Sequence, residues 1–149
     1  MISDNVVNYI PQRPPMVLVS RLLSSDELKT TAELDITENN IFVDGGVLSE
    51  PGIVEHIAQC AALRAGFQAQ QEQKPVSLGY IGAVNDLSIA AFPSINSTIT
   101  TTITQTAAAM GAVVISAAVL NGNMHVASCI MKIFIKESPK ENSKQDNFN

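Results

Sequence analysis

The 149-residue sequence predicts an α+β domain in which an antiparallel sheet curls around one long central helix. Three observations lead there. Between Ile53 and Phe67, within EPGIVEHIAQCAALRAGFQAQ, almost every residue is apolar or small, as in a helix enclosed by the rest of its chain. Strand-like stretches precede and follow it, joined by short turns rich in Pro, Gly and Asn. A hydrophobic content of 46% supplies an ample core.

The elements follow in order. Ile2 to Ile10 places apolar residues at 2, 6, 7 and 10, a short helical pattern that caps the core. Pro11, Pro14 and Pro15 then force an extended path. Met16 to Leu23, rich in Val and Leu, reads as a strand, and Lys29 to Ile36 as its hairpin partner across the turn at Ser24 to Asp26. Glu38 to Glu50 reads as a loop in which Gly45 and Gly46 permit positive φ. Ser49 or Glu50 caps the helix, Pro51 suits its first turn, and the helix fades before Pro75. Val76 to Phe92 reads as a strand bent or bulged at its glycines, and Pro93 to Asn96 as a turn. Ile95, Ile99 and Ile103 share one face of the next strand, with Thr98, Thr100, Thr102 and Thr104 on the other. Ala112 to Leu120 and Met124 to Ile135 complete the sheet around a turn at Asn121-Gly122. This order matches the hot-dog fold over residues 1–136, and the polar stretch 137–149 reads as a disordered tail. A sheet of this kind leaves an edge open, which predicts a dimer at least.

Composition narrows the function. A net charge of −5 with no basic cluster argues against nucleic acid. No apolar run reaches the ~18 residues of a membrane span. MISDNVVNYI has no basic leader followed by an apolar stretch, and Cys60 and Cys129 in apolar surroundings read as buried free thiols. Both points predict a cytoplasmic protein. With two histidines and no metal-ligand spacing, no metal or other cofactor is expected.

Polar residues inside the apolar helix carry the chemistry. Only Glu55, His56, Gln59 and Arg64 interrupt it. At about 100° per residue, Glu55 and Gln59 lie within about 40° of each other, while His56 projects about 100° away. A carboxylate inside such a helix is costly unless paired, hydrogen-bonded or used.

Several segments then carry a resemblance. Ile10-Pro11-Gln12-Arg13-Pro14-Pro15-Met16-Val17-Leu18-Val19-Ser20-Arg21 is similar to the Pro-His-Arg-x-Pro-x-Leu-Leu-Val-Asp-Arg opening of the thioester dehydratases. These are hot-dog enzymes acting on 3-hydroxyacyl chains carried on acyl carrier protein. Gly52-Ile53-Val54-Glu55-His56-Ile57-Ala58-Gln59 resembles their helix start, and Gly79-Tyr80-Ile81-Gly82 with the Pro93 turn resembles their Gly-Tyr strand. The usual Gly-His-Phe-Pro-Gly before the helix, with its catalytic His, is missing. The shorter loop from Phe42 to Gly52 resembles instead the divergent dehydratase-like proteins of aryl-polyene and flexirubin-type pigment clusters. Some of those carry a His just before the Phe, a place that Asn40 would hold here.

The resemblance implies an elimination that needs an acid, a base and donors for the enolate oxygen. Glu55 is the expected acid, since a carboxyl group taken out of water holds its proton more readily. Gln59 would orient it. The base would be His56 or Asp44. Backbone N–H groups around Gly52 would hold the thioester oxygen. Asn40, Gly46 and Tyr80 complete the expected substrate contacts. The partners implied are an acyl-carrier-protein or CoA thioester and a second hot-dog subunit, identical or different. Two other readings stay open: a subunit that binds acyl thioesters beside an active partner, and a hot-dog thioesterase in which Glu55 activates water.

Overall fold

The computed structural model describes residues 1–76 and 78–136. The expected disordered tail lies outside the described residues. The chain runs from a 3₁₀ turn (Val6–Asn8) through β1 (Arg21–Ser25), β2 (Lys29–Asp35), β3 (Val43–Asp44) and β4 (Val47–Leu48) to the helix α1 (Glu50–Gln71). It continues through β5 (Leu78–Ile89), β6 (Thr98–Ala109), β7 (Ala112–Asn121) and β8 (Met124–Lys136). Six strands form one antiparallel sheet in the order β1-β2-β6-β7-β8-β5, with β3 and β4 pairing as a separate hairpin. This is the hot-dog architecture expected: one long helix against a curled sheet.

Alternation along the strands makes the core. Ile99, Thr101 and Ile103 of β6, Ile115, Ala117 and Val119 of β7, and Cys129, Met131 and Ile133 of β8 point inward and are buried. Ile53, Ile57, Cys60 and Leu63 of α1 meet them with no exposed surface. Each such Leu or Ile contributes about 1.5–3 kcal/mol on burial. The outward threonines of β6 bond to polar neighbours instead: Thr102 to Thr31, Thr98 to Asp35 and Thr100 to Glu33. Both cysteines are buried and unpaired, and burial pushes both thiols up from their ordinary range.

Four details depart from the sequence reading. Met16 to Ser20 is not strand, because its backbone bonds to helix side chains: the Leu18 N–H donates to Gln59 Oε1 and Met16 O accepts from Gln59 Nε2. Glu38 to Glu50 is not plain loop, since Gly45 and Gly46 take φ of 63° and 80° and close the two-residue β3–β4 hairpin. The β7–β8 turn falls on Gly122-Asn123, one residue later than expected, with Gly122 at φ 63° and Asn121 paired to Met124. Ile95 precedes β6 rather than belonging to it.

Strand β5 closes one edge of the sheet. Its pairing with β8 slips between Ile81 and Ala83 and again between Asn85 and Ser88, the bulging expected of this glycine-bearing stretch. Leu78, Tyr80 and Ile81 on this edge are 42%, 52% and 42% exposed.

Candidate active site

The helix has two faces. One carries Ile53, His56, Ile57, Cys60 and Leu63 into the core. The other carries Glu55, Ala58, Ala62, Ala65 and Ala69, at spacings of three and four residues, and is only half-buried. The expectation of a helix enclosed on all sides is corrected here. Alanine side chains are too short to fill the space to the sheet, and a cleft of about 540 Å³ opens beside them. Its far wall is sheet: Tyr80 and Ile81 of β5, Val113 and Ile115 of β7, and Ile133 and Ile135 of β8. Glu55, Pro11 and Gln12 also line the cleft, as do Lys74 and Pro75, which follow the C-terminal end of the helix.

The Glu55 carboxylate is held in place. Gln59 Nε2 donates to Glu55 Oε2 at 2.9 Å and to Met16 O at 2.7 Å, while Gln59 Oε1 accepts from the Leu18 N–H at 2.7 Å. With no exposed surface and each side-chain polar atom bonded, Gln59 is a fixed clamp between the helix and the segment before β1.

His56 lies on the opposite side. It is fully buried, with Nδ1 2.7 Å from Leu18 O and Nε2 2.8 Å from Thr101 Oγ1. A carbonyl only accepts, so Nδ1 carries the proton and Nε2 accepts from the Thr101 hydroxyl. Burial lowers its pKa to about 4 against the opposing pull of the Leu18 carbonyl. The ring is therefore neutral near pH 7, and both nitrogens are committed away from the cleft.

The other expected residues are dispersed. Asp44 is exposed at the β3–β4 hairpin, and Gly46 accepts the Ile95 N–H there. Asn40 Oδ1 accepts the Phe42 N–H at 2.8 Å, shaping the chain ahead of that hairpin. Gly52 is buried in the first turn of the helix, where an added Cβ would come within 2.6 Å of both Leu48 and Phe42. None of these four lines the cleft; Tyr80 does. His125 is exposed on β8. The structure thus brings Glu55 and Tyr80 to the cleft, holds Gln59 buried behind Glu55, and leaves His56, Asp44, Asn40, Gly46 and Gly52 off it. Of the nearby cations, Arg21 pairs with Glu33 and Asp35, Lys74 pairs with Glu72, and Arg64 is buried under the β1–β2 turn. Reading residue types missed Gln12 and the alanine stripe, although the spacing of 58, 62, 65 and 69 carried the signal.

The comparisons with known proteins bear on the fold and the family. A chain of the dehydratase heterocomplex ApeI:P from Xenorhabdus doucetiae superposes with a TM-score of 0.83 at 13% identity, covering 97% of each chain. An uncharacterized protein, PH1136, from Pyrococcus horikoshii gives 0.67 at 11% identity over 88% of this chain and 93% of that one. A hypothetical thioesterase from Streptococcus pneumoniae TIGR4, solved with coenzyme A, gives 0.63 at 7% identity over 80% and 88%. At such identities these likenesses show the fold. No curated protein matches the sequence. The family model described as ApeP dehydratase matches residues 4–144, so the chain belongs to the ApeP-like family of hot-dog thioester dehydratases.

Proposed function

We propose that this chain is the acid-bearing subunit of a two-subunit 3-hydroxyacyl thioester dehydratase, and that a second hot-dog chain supplies the base. One observation carries the reading. The cleft holds a positioned carboxyl group, Glu55, which acts in its protonated form, whereas His56 is committed to the core and His125 is outside. In the reaction, a base takes the proton from the carbon next to the thioester carbonyl. The carbon–oxygen bond at the third carbon breaks, Glu55 protonates the departing hydroxyl, and water leaves. The family membership and the heterocomplex likeness support both the reaction and the two-chain arrangement. The alanine-lined wall suits an extended acyl chain, and the open β5 edge beside it suits a second subunit.

The test is turnover of a 3-hydroxyacyl-pantetheine or carrier-protein thioester by the assembled complex, wild type against Glu55→Gln. Loss of a general acid costs on the order of 10²–10⁴-fold. A Glu55→Gln complex that keeps the wild-type rate would remove Glu55 from the chemistry. The thioesterase alternative shares the fold and the carboxylate; release of free thiol in the same assay, with no enoyl product, would favour it.

A further inference from the structure

Two glutamines bear on the cleft, Gln59 through its bond to Glu55 and Gln12 as part of the lining, and they differ in one respect. Gln59 spends every side-chain hydrogen bond inside the chain. Gln12 spends none among the described residues: its Oε1 is buried with no partner. Leaving such an acceptor unmade costs about 1–3 kcal/mol. The only other buried side-chain nitrogen or oxygen without a partner among the described residues is Arg64 Nε. Gln12 and Arg64 both line the cleft. The unmet hydrogen-bonding capacity of the described core therefore lies with residues of that one wall. Buried polar atoms are nearly always paired, so an unpaired acceptor on a residue that lines a cleft is a candidate contact for what enters it.

The segment carrying Gln12 is not free to drift. Arg13 Nη1 donates to Ile10 O and Gln12 O at 2.8 and 2.7 Å, and the Met16 N–H donates to Arg13 O at 2.9 Å. Gln59 then ties Met16 O to the helix, through the same amide group that holds Glu55. The backbone near Gln12 and the Glu55 carboxyl are thus referenced to one side chain. The terminal torsion of a glutamine is broad and two-fold, so its carboxamide oxygen is able to turn while the backbone stays fixed.

We infer that the Gln12 carboxamide accepts the hydrogen bond of the substrate's 3-hydroxyl group, a positioning role that rests on the dehydratase reading above. A hydroxyl group both donates and accepts. To leave as water it must accept a proton from Glu55, so a lone pair has to face that carboxyl group. Giving its own hydrogen to Gln12 Oε1 fixes the hydroxyl in that orientation. No bond is made or broken by Gln12 itself, and water leaves carrying both hydrogens.

Two pantetheine conjugates test this on the assembled complex: 3-hydroxyoctanoyl and octanoyl, each with an amide in place of the thioester so that no turnover follows. Calorimetric titration should show the hydroxylated chain bound more tightly by the wild type, by about fivefold to tenfold for one neutral hydrogen bond. Gln12→Met, which keeps length and removes the acceptor, should erase that preference and leave octanoyl binding unchanged. Equal binding of the two conjugates by the wild type would overturn the inference without any variant. So would an equal loss of both in Gln12→Met, which would mark Gln12 as structural. Binding of neither conjugate by the wild type would overturn the acyl-thioester reading as well, a result distinct from equal binding.

Discussion

His56 and Glu55 are adjacent in the sequence and opposite in role. One helical step of about 100° sends Glu55 to the alanine face and His56 into the core. From the sequence alone both were candidates for proton transfer. Angular position hinted at the separation, but only the partners decide it. Leu18 O and Thr101 Oγ1 lie far from His56 in sequence, so no local pattern could announce that both ring nitrogens were already bonded. The same holds for Asp44 and Asn40, expected as base and substrate contact: one lies in the β3–β4 hairpin and the other just ahead of it, and neither lines the cleft. A stability prediction belongs at this scale. The His56 pKa falls from an ordinary 6.5 to about 4 on folding, so the unfolded chain binds more protons between those values. Stability is then fully present above about pH 6.5 and is lost as the pH falls toward 4. Urea unfolding should show about 2 kcal/mol less stability at pH 5 than at pH 7 from this group. His56→Gln should lose that increment and be less stable at pH 7 by about 1–3 kcal/mol, since it leaves buried partners unpaired.

At the scale of the element, α1 was the most legible part of the chain. Its apolar length, the Pro51 start and the fade before Pro75 located it to within a few residues. Its two-faced character was hidden because alanine counts as apolar on both faces. Size, not hydropathy, separates the core face of Ile and Leu from the cleft face of Ala. Gly66 marks a third contact: an added Cβ would meet Tyr9 O at 1.9 Å, so the N-terminal turn packs directly on the helix backbone. On the cleft face the opposite holds, and room is left over. Ala65→Leu should therefore fold with stability close to wild type while filling the cleft. The expected result is a shortened chain-length preference, with binding of long acyl chains falling about tenfold and that of short ones little changed, since adding methylenes to a filled site costs about 1–3 kcal/mol. Titration with a series of acyl-pantetheine amides measures it.

For the whole molecule, strand order decides which strands stand at the edges of the sheet. Strand β5 follows the helix in sequence yet pairs only with β8, and so becomes an edge. It borders the cleft through Gly79, Tyr80 and Ile81, with apolar side chains exposed. An uncovered edge of this kind invites another strand. The sequence made the open edge foreseeable but not which strand would form it, because crossover topology is set by long-range packing. Ile81→Lys places a charge on that edge and should shift the assembly toward monomer in sedimentation velocity, with the chain still folded by circular dichroism. The family resemblance is likewise a property of the whole: no single motif carried it, and the order of the opening segment, the helix start and the Gly-Tyr strand did.

The most direct test compares this chain alone with the same chain co-expressed with a second hot-dog subunit of the dehydratase type, the arrangement proposed above. Dehydration of a 3-hydroxyacyl thioester is followed through the absorbance of the enoyl product. A missing general base costs on the order of 10²–10⁴-fold, so the isolated chain should run near background and the complex at full rate. Full-rate dehydration by the isolated chain would contradict the account, because the base would then reside in this polypeptide.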